Sequence, residues 1–141
     1  MLVVTAVVAA LVVLVVLIHL FVLQGLTAIL ERVHALTRLR MAIVILGAVL
    51  GHLVEIEMFA LGTAALENTG RYGEIRGNLE EGSRNHFYYS AVTYTTLGYG
   101  DLTPTGPLRI LAAVEALIGM LLITWTASFT FLTMQKFWIK E

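Results

Sequence analysis

The chain has 141 residues, of which 58% are hydrophobic and only 13% are charged, with a net charge of −1 and no cysteine. Soluble domains carry about a quarter charged residues, so this composition indicates a membrane protein of one domain. The charge balance excludes a basic surface for nucleic acid, and the lack of cysteine excludes disulfides and thiolate metal sites.

The start of the chain predicts a membrane-spanning helix over roughly residues 2–30, which are almost uniformly apolar. A cleavable signal peptide would have a basic leader and only about 7–15 apolar residues, so a retained helix is favoured. Three single polar residues near the helix ends are expected to reach the headgroup region, as such side chains usually do: His19, Gln24 and His34.

A charged segment, residues 31–40, leads into a second apolar run at 41–65. Residues 66–85 contain four glutamates, three arginines and four glycines, which predicts an aqueous loop. The aromatic and β-branched stretch 86–96 is too short to cross a membrane. A third apolar run, 107–135, predicts the last spanning helix, and residues 136–141 form a short tail.

Charge predicts the topology. Arg32, Arg38 and Arg40 lie in the short first loop, and Lys136 and Lys140 follow the last helix. Basic residues close to helix ends favour the cytoplasm. The N-terminus is therefore expected outside a plasma membrane and the C-terminus inside, with the acidic loop outside.

Residues 95–101 read Thr-Thr-Leu-Gly-Tyr-Gly-Asp between apolar runs of membrane length. Glycine permits backbone angles closed to other residues, so successive carbonyls can turn to one side and replace the water shell of a cation. The string resembles the selectivity filter of potassium channels, in particular small prokaryotic members of the pore-loop family with two helices per subunit. Residues 1–40 would add a helix and a basic loop to that pore domain.

This resemblance implies an all-α membrane protein with three transmembrane helices, a re-entrant pore helix and a filter loop. The pore domain would cover residues 41–135, with an outer helix (41–65), an extracellular loop (66–85), a pore helix (86–96), the filter (96–101) and an inner helix (107–135). Because each chain supplies one filter strand, it also implies a homotetramer in a lipid bilayer, with K⁺ as the permeant ion and no soluble substrate or other cofactor.

The resemblance assigns K⁺ coordination to Thr96, Leu97, Gly98, Tyr99 and Gly100. It places Asp101 at the outer mouth, with filter support from Thr95 and the aromatic residues Tyr88 and Tyr89. Val92 stands where some channels carry a glutamate that pairs with the aspartate, so that pair is not expected here.

In the inner helix, the resemblance places Gly119 at a flexible point of the family. Met120, Ile123, Ala127 and Phe131 then recur at helical spacing toward the pore axis. Phe131 would close the pore as an apolar ring, or it packs between helices; Gly119 is equally readable as a close-packing site between helices. Trp125 and Trp138 are read as packing residues or interface anchors.

Ionisable residues interrupt the apolar runs. His52 and Glu55 share one helix face, whereas Glu57 is rotated about 200° away. Glu55 and Glu115 lie at matched depths of about 14 Å and about 12 Å from the outer helix ends. We therefore expect His52, Glu55 and Glu115 to meet behind the pore helix, as a structural brace, a proton sensor or a metal site.

Other functions are weighed against this one. The sequence shows no arginine-rich voltage-sensor helix, no phosphate loop and no catalytic triad, so no enzyme activity is assigned. The final residues leave no room for a ligand-binding domain, which predicts gating at the filter or inner helix. The alternatives are a proton-coupled secondary transporter using His52, Glu55 and Glu115, and a helical scaffold.

Overall fold

The computed structural model describes residues 1–33, 36–81 and 84–138. His34, Lys140 and the side chain of Trp138, which enter the sequence-based predictions, lie outside this description. In chain order the elements are α1 (Leu2–Arg32), α2 (Thr37–Asn68), β1 (Ile75–Gly77), α3 (Asn85–Tyr94), β2 (Leu102–Pro104) and α4 (Leu108–Trp138).

Three of these helices, α1, α2 and α4, are long and apolar enough to cross a membrane. Valine and isoleucine are mediocre helix formers in water, but in lipid every backbone amide must be satisfied internally, so long apolar runs become helices. The all-α membrane fold predicted from the sequence is confirmed. Helix α2 extends beyond the predicted run 41–65 at both ends, and at about 1.5 Å per residue it is longer than a bilayer core of about 30 Å.

Helix α1 folds back along α2 and packs against it through glycines. Gly47, Gly51 and Gly62 of α2 face Leu26, Val22 and Leu11 of α1, respectively. A methyl group added at Gly51 would lie 2.9 Å from a Val22 methyl carbon, so the missing side chain is what permits this spacing. Small residues let helix backbones approach closely in membranes. The same antiparallel register brings His19 of α1 level with Glu55 of α2.

Helix α3 has ten residues, about 15 Å at the usual rise, so it reaches only partway into the membrane. Its buried side chains are Tyr89, Ser90 and Tyr94, and it packs against both α2 and α4. Tyr94 is fully buried against Phe59 of α2, with ring centroids 6.5 Å apart. The C-terminal end of α3 is therefore fixed between the outer and inner helices.

The loop between α2 and α3 contains a short strand, which the sequence did not predict. Strand β1 pairs antiparallel with β2, joining Ile75 to Pro104 and Gly77 to Leu102. Within the predicted aqueous loop 66–85, residues 66–68 belong to α2 and residues 75–77 form β1. A three-residue strand has no periodicity of its own and forms because its partner directly follows the filter segment.

Candidate functional site

The backbone of residues 96–100 alternates in handedness. Thr96, Gly98 and Gly100 have φ values of +60°, +59° and +80°, whereas the intervening residues Leu97 and Tyr99 do not have positive φ. Two of the three are glycines, which adopt this conformation without steric cost, while Thr96 bears some strain. Residues that alternate between right- and left-handed conformations turn their N–H groups to one side and their carbonyl oxygens to the other.

The amide side of this segment faces the pore helix. The N–H groups of Leu97 and Gly98 donate to the carbonyl of Val92, at 3.0 and 3.2 Å, and Thr96 N–H donates to Thr93. These bonds satisfy the last carbonyls of α3, which have no partner within the helix. Residues 96–101 are themselves exposed in the single chain.

Asp101, at the end of the segment, is hydrogen-bonded by Tyr88, one of the aromatic residues predicted to support it. The Tyr88 hydroxyl donates to Asp101 Oδ2 at 2.7 Å. This hydrogen bond raises the pKa of Tyr88, so the phenol keeps the proton that it donates. Tyr88 thus provides the hydrogen-bond partner for Asp101 that the apolar Val92 does not provide. Tyr89, by contrast, is buried with no hydrogen-bond partner for its hydroxyl, and Thr95 Oγ1 donates to Ala91 O at 2.7 Å.

Strand β1 and the residue after it pack against the end of segment 96–101. Asn78 N–H donates to the Asp101 carbonyl at 3.1 Å. Gly77 adopts φ +136°, and a methyl group there would overlap the Asp101 carbonyl, 2.9 Å from its carbon. Only glycine allows this approach, so the loop between α2 and α3 and the end of segment 96–101 are one packed unit.

Gly77→Ala is expected to detach β1 from β2. Overpacking against backbone costs about 1–3 kcal/mol, so amide exchange of segments 75–79 and 101–105 should accelerate about tenfold or more in hydrogen–deuterium exchange. Gly70→Ala is the matched control: Gly70 also has positive φ, +65°, but a methyl group there meets nothing within 4 Å. Equal exchange in the two variants would contradict the packing role.

Helix α4 packs against α3 at one position and exposes apolar side chains at others. At Gly119 a methyl group would overlap the Tyr94 carbonyl and lie 2.8 Å from Tyr94 Cγ. Of the two readings left open for this glycine, the structure therefore supports close packing against α3. The side chains of the predicted cavity and gate are all exposed in the single chain: Met120, Ile123, Ala127 and Phe131.

A cluster of polar side chains joins all four helices inside the bundle. Glu55 is 0% exposed and accepts hydrogen bonds from both histidines: His19 Nδ1 at Oε1 and His52 Nδ1 at Oε2, each at 2.9 Å. The Tyr94 hydroxyl also donates to Glu55, and Thr126 Oγ1 lies 3.0 Å from His52 Nε2 and 3.4 Å from His19 Nε2. We call these five residues the interhelical cluster.

The predicted trio of His52, Glu55 and Glu115 is only partly assembled. Glu115 is 0% exposed, and neither of its carboxylate oxygens has a hydrogen bond. Ser90 faces it without reaching hydrogen-bonding geometry. His19, and not Glu115, is the third residue that joins His52 and Glu55. The prediction that His19 reaches the headgroup region was wrong, because His19 is only 2% exposed and its ring lies 5.2 Å from that of Trp125.

A signal for His19 was present in the sequence. It is a histidine in the middle of an otherwise apolar span, and ionisable residues at such depth are costly unless they are partnered. Folding α1 back along α2 places it beside Glu55, the nearest buried acid. Depth counted from the outer helix ends matches Glu55 with Glu115 and does not include α1.

Taken together, the elements define a class of protein. A short helix ends on a loop whose backbone alternates in handedness, and this unit lies between two long apolar helices, α2 and α4. This is the arrangement of a pore-loop membrane protein.

Comparison with known proteins identifies the family. A family model described as "Ion channel" matches residues 39–136, so the chain belongs to this family of ion channels. It is accordingly a multi-pass membrane channel protein and not an enzyme. The chain is also 39% identical over 79 residues to the inward rectifier potassium channel Kirbac3.1 of Paramagnetospirillum magnetotacticum. That match covers 55% of this chain and 25% of the relative, so the chain spans about a quarter of the relative's length. No solved structure matches the chain.

Proposed function

We propose that four copies of this chain assemble into a potassium-selective channel that conducts K⁺ passively through a filter formed by Thr96, Leu97, Gly98, Tyr99 and Gly100. The observation that carries the proposal is the alternating handedness of residues 96–100. Four such strands around one axis would offer successive rings of carbonyl oxygens, which substitute for the hydration shell of the ion.

The hydrogen bonds of the filter support this role. Because the amides of Leu97 and Gly98 donate to Val92, these two amides are unavailable to attract anions. The Thr96 hydroxyl would add a further oxygen at the inner end. The C-terminal end of α3 adjoins Thr96, and the negative end of a helix dipole favours a cation there.

The surface of a single chain supports assembly. The large side chains of Leu97 and Tyr99 are 55% and 68% exposed in the single chain. Neighbouring copies would cover them. A groove of about 410 Å³ extends from the filter to α4. It is lined by Tyr88, Tyr89, Val92, Thr93, Ala112 and Ala116, among others. A neighbouring copy would cover this groove, and four copies would close the filter around one axis.

The inner helix would line the cavity below the filter. In a tetramer the exposed residues Met120, Ile123, Ala127 and Phe131 would face the axis, and Phe131 would form the narrowest apolar ring near the cytoplasm. Gating would then lie at this ring or at the filter. The basic residues near the helix ends favour an N-terminus outside and a C-terminus inside a plasma membrane.

The relative supports K⁺ as the permeant ion, because that protein is a potassium channel and the similarity extends over 79 residues. A proton-coupled transporter that uses His52, Glu55 and Glu115 is the competing function. It is less well supported because Glu115 shares no hydrogen bond with the other two residues.

Purified protein in liposomes tests the proposal. We expect K⁺ efflux that exceeds Na⁺ efflux at least tenfold and falls at least tenfold in Gly98→Ala. The left-handed conformation of Gly98 costs an alanine about 1–2 kcal/mol per chain, or about 4–8 kcal/mol per tetramer. Gly25→Ala, a helix glycine with open space around it, should conduct as the wild type does. Proton-coupled movement that survives Gly98→Ala would favour the transporter.

A further inference from the structure

The interhelical cluster contains more metal-binding groups than a structural brace requires. His19, His52 and Glu55 each offer a ligand atom, and these atoms lie within 4.8 Å of one another. They come from two helices, and Tyr94 of a third helix adds an oxygen 2.9 Å from His52 Nδ1. Imidazole nitrogen and carboxylate oxygen are ligands that zinc and similar divalent ions share.

We propose that His19, His52 and Glu55 form a buried site for a divalent transition metal of the zinc type, with Tyr94 facing the fourth position. This site lies outside the filter and does not depend on the conduction pathway. It would fasten α1 to the pore domain, because His19 is its only ligand from α1.

The spacing of the ligand atoms suits such an ion. Zinc bonds of about 2.0–2.1 Å in tetrahedral geometry set ligand atoms roughly 3.3 Å apart. Each histidine Nδ1 lies 2.9 Å from a Glu55 oxygen, so these two contacts would lengthen by about 0.4 Å around the ion, and no two of the ligand atoms lie more than 4.8 Å apart. Three atoms of the site contact one another pairwise: the Tyr94 hydroxyl oxygen, Glu55 Oε2 and His52 Nδ1. Only two hydrogens are available for these three contacts, so one contact has no hydrogen bond unless an ion binds.

Hydrogen counting at Thr126 favours an ion at the centre. Without an ion, both histidines donate from Nδ1 to Glu55, and both Nε2 atoms then need a donor. The single Thr126 hydroxyl hydrogen serves only one of them. When Nδ1 binds a metal, each Nε2 carries a hydrogen, and the two lone pairs of Thr126 Oγ1 accept both. A histidine ligand whose second nitrogen donates to a fixed oxygen is the usual outer arrangement of metal sites.

The buried charge of Glu55 also favours a metal ion in this site. Among the described residues the buried charged or polar side chains include Glu55 and Glu115 but no lysine or arginine. A carboxylate buried in a bilayer needs compensation, and a divalent cation between the histidines would balance Glu55, which is fully buried.

The competing occupant is one extra proton. An imidazolium at one histidine would also satisfy Thr126, since it adds the missing Nε2 hydrogen, and it would balance Glu55. The groups facing this proton are Glu55 on α2, Tyr94 on α3, Thr126 on α4 and the other histidine. The experiment must separate the proton from the metal.

Metal binding by the purified full-length protein provides the test. Protein stripped with a chelator in detergent is equilibrated with Zn²⁺, passed through a desalting column and analysed for bound metal. We expect about one Zn²⁺ per chain, and for Co²⁺ the intense visible absorption of a four-coordinate site. Glu55→Gln and His19→Gln should lose both signals. His86→Gln is the matched control, because His86 pairs with the Glu67 carboxylate outside the cluster.

A second variant distinguishes weaker metal binding from misfolding of the protein. Thr126→Val keeps every ligand and should weaken Zn²⁺ binding about 10–100-fold while the Co²⁺ absorption remains at saturation. The proposal is overturned if the stripped wild-type protein binds no stoichiometric Zn²⁺, or if Glu55→Gln binds as much as the wild type. Absence of Zn²⁺ binding together with acid stabilisation that requires both histidines would assign the position to the proton.

Discussion

Gly119→Ala is expected to prevent the inner helix from seating on the pore helix. The added methyl group would overlap the Tyr94 carbonyl, which is backbone and cannot rotate aside, and it would lie 2.8 Å from the Tyr94 ring. Overpacking of this kind costs about 1–3 kcal/mol in a core and more where backbone must move. Tyr94 is also the last residue of α3, and Thr96 N–H is hydrogen-bonded to Thr93 of the same helix, so the displacement would reach the proposed filter at Thr96.

Thermal unfolding in detergent and K⁺ flux in liposomes measure this effect. The variant should unfold at a clearly lower temperature than the wild type and lose most of its flux. Gly25→Ala is the matched control, because a methyl group there meets nothing within 4 Å and alanine favours the helix. If Gly119→Ala keeps wild-type stability and flux, the close contact between α4 and α3 is not required.

Removal of the Glu55 carboxylate is expected to have the second large effect. Glu55→Ala leaves the buried residues His19 and Tyr94 and the partly buried His52 without the acceptor that they share. Unsatisfied buried donors cost about 1–3 kcal/mol each in soluble proteins, although single hydrogen bonds between membrane helices average nearer 0.6 kcal/mol. A total loss of about 2–4 kcal/mol follows for three donors.

The neighbouring acid gives the control for this prediction. Glu57 lies on the same helix, is partly exposed and pairs with the exposed Arg84; surface pairs contribute about 0–1 kcal/mol. Glu57→Ala should therefore leave the unfolding temperature nearly unchanged, while Glu55→Ala lowers it by several degrees. Equal shifts in the two variants would mean that the interhelical cluster does not hold the bundle together.

The spanning helices could be predicted from the sequence because a long apolar run has few solutions in lipid. The filter segment was recognised by resemblance, and its backbone alternation required the structure. The β1–β2 pairing and the Tyr88–Asp101 hydrogen bond depend on residues that are distant in sequence, and neither carries a local pattern. His19 is the instructive case: its burial depends on the register between α1 and α2, which the glycines of α2 determine.

The register explains why the polar cluster was assigned the wrong third member. Counting residues from the membrane surface places Glu55 and Glu115 at similar depths, but depth says nothing about which helix faces meet. The structure turns Glu115 toward Ser90 of α3 and His19 toward Glu55. Side-chain partners between helices follow from packing faces, which depth alone cannot give.

The reversal potential of the purified protein in a planar bilayer, with K⁺ on one side and Na⁺ on the other, tests the central claim most directly. A filter of backbone carbonyls from four chains predicts single-channel steps and a reversal potential at least about 59 mV from zero, which corresponds to a tenfold preference for K⁺. A reversal potential at zero, with steps carried equally by both ions, would contradict a potassium-selective filter at residues 96–100.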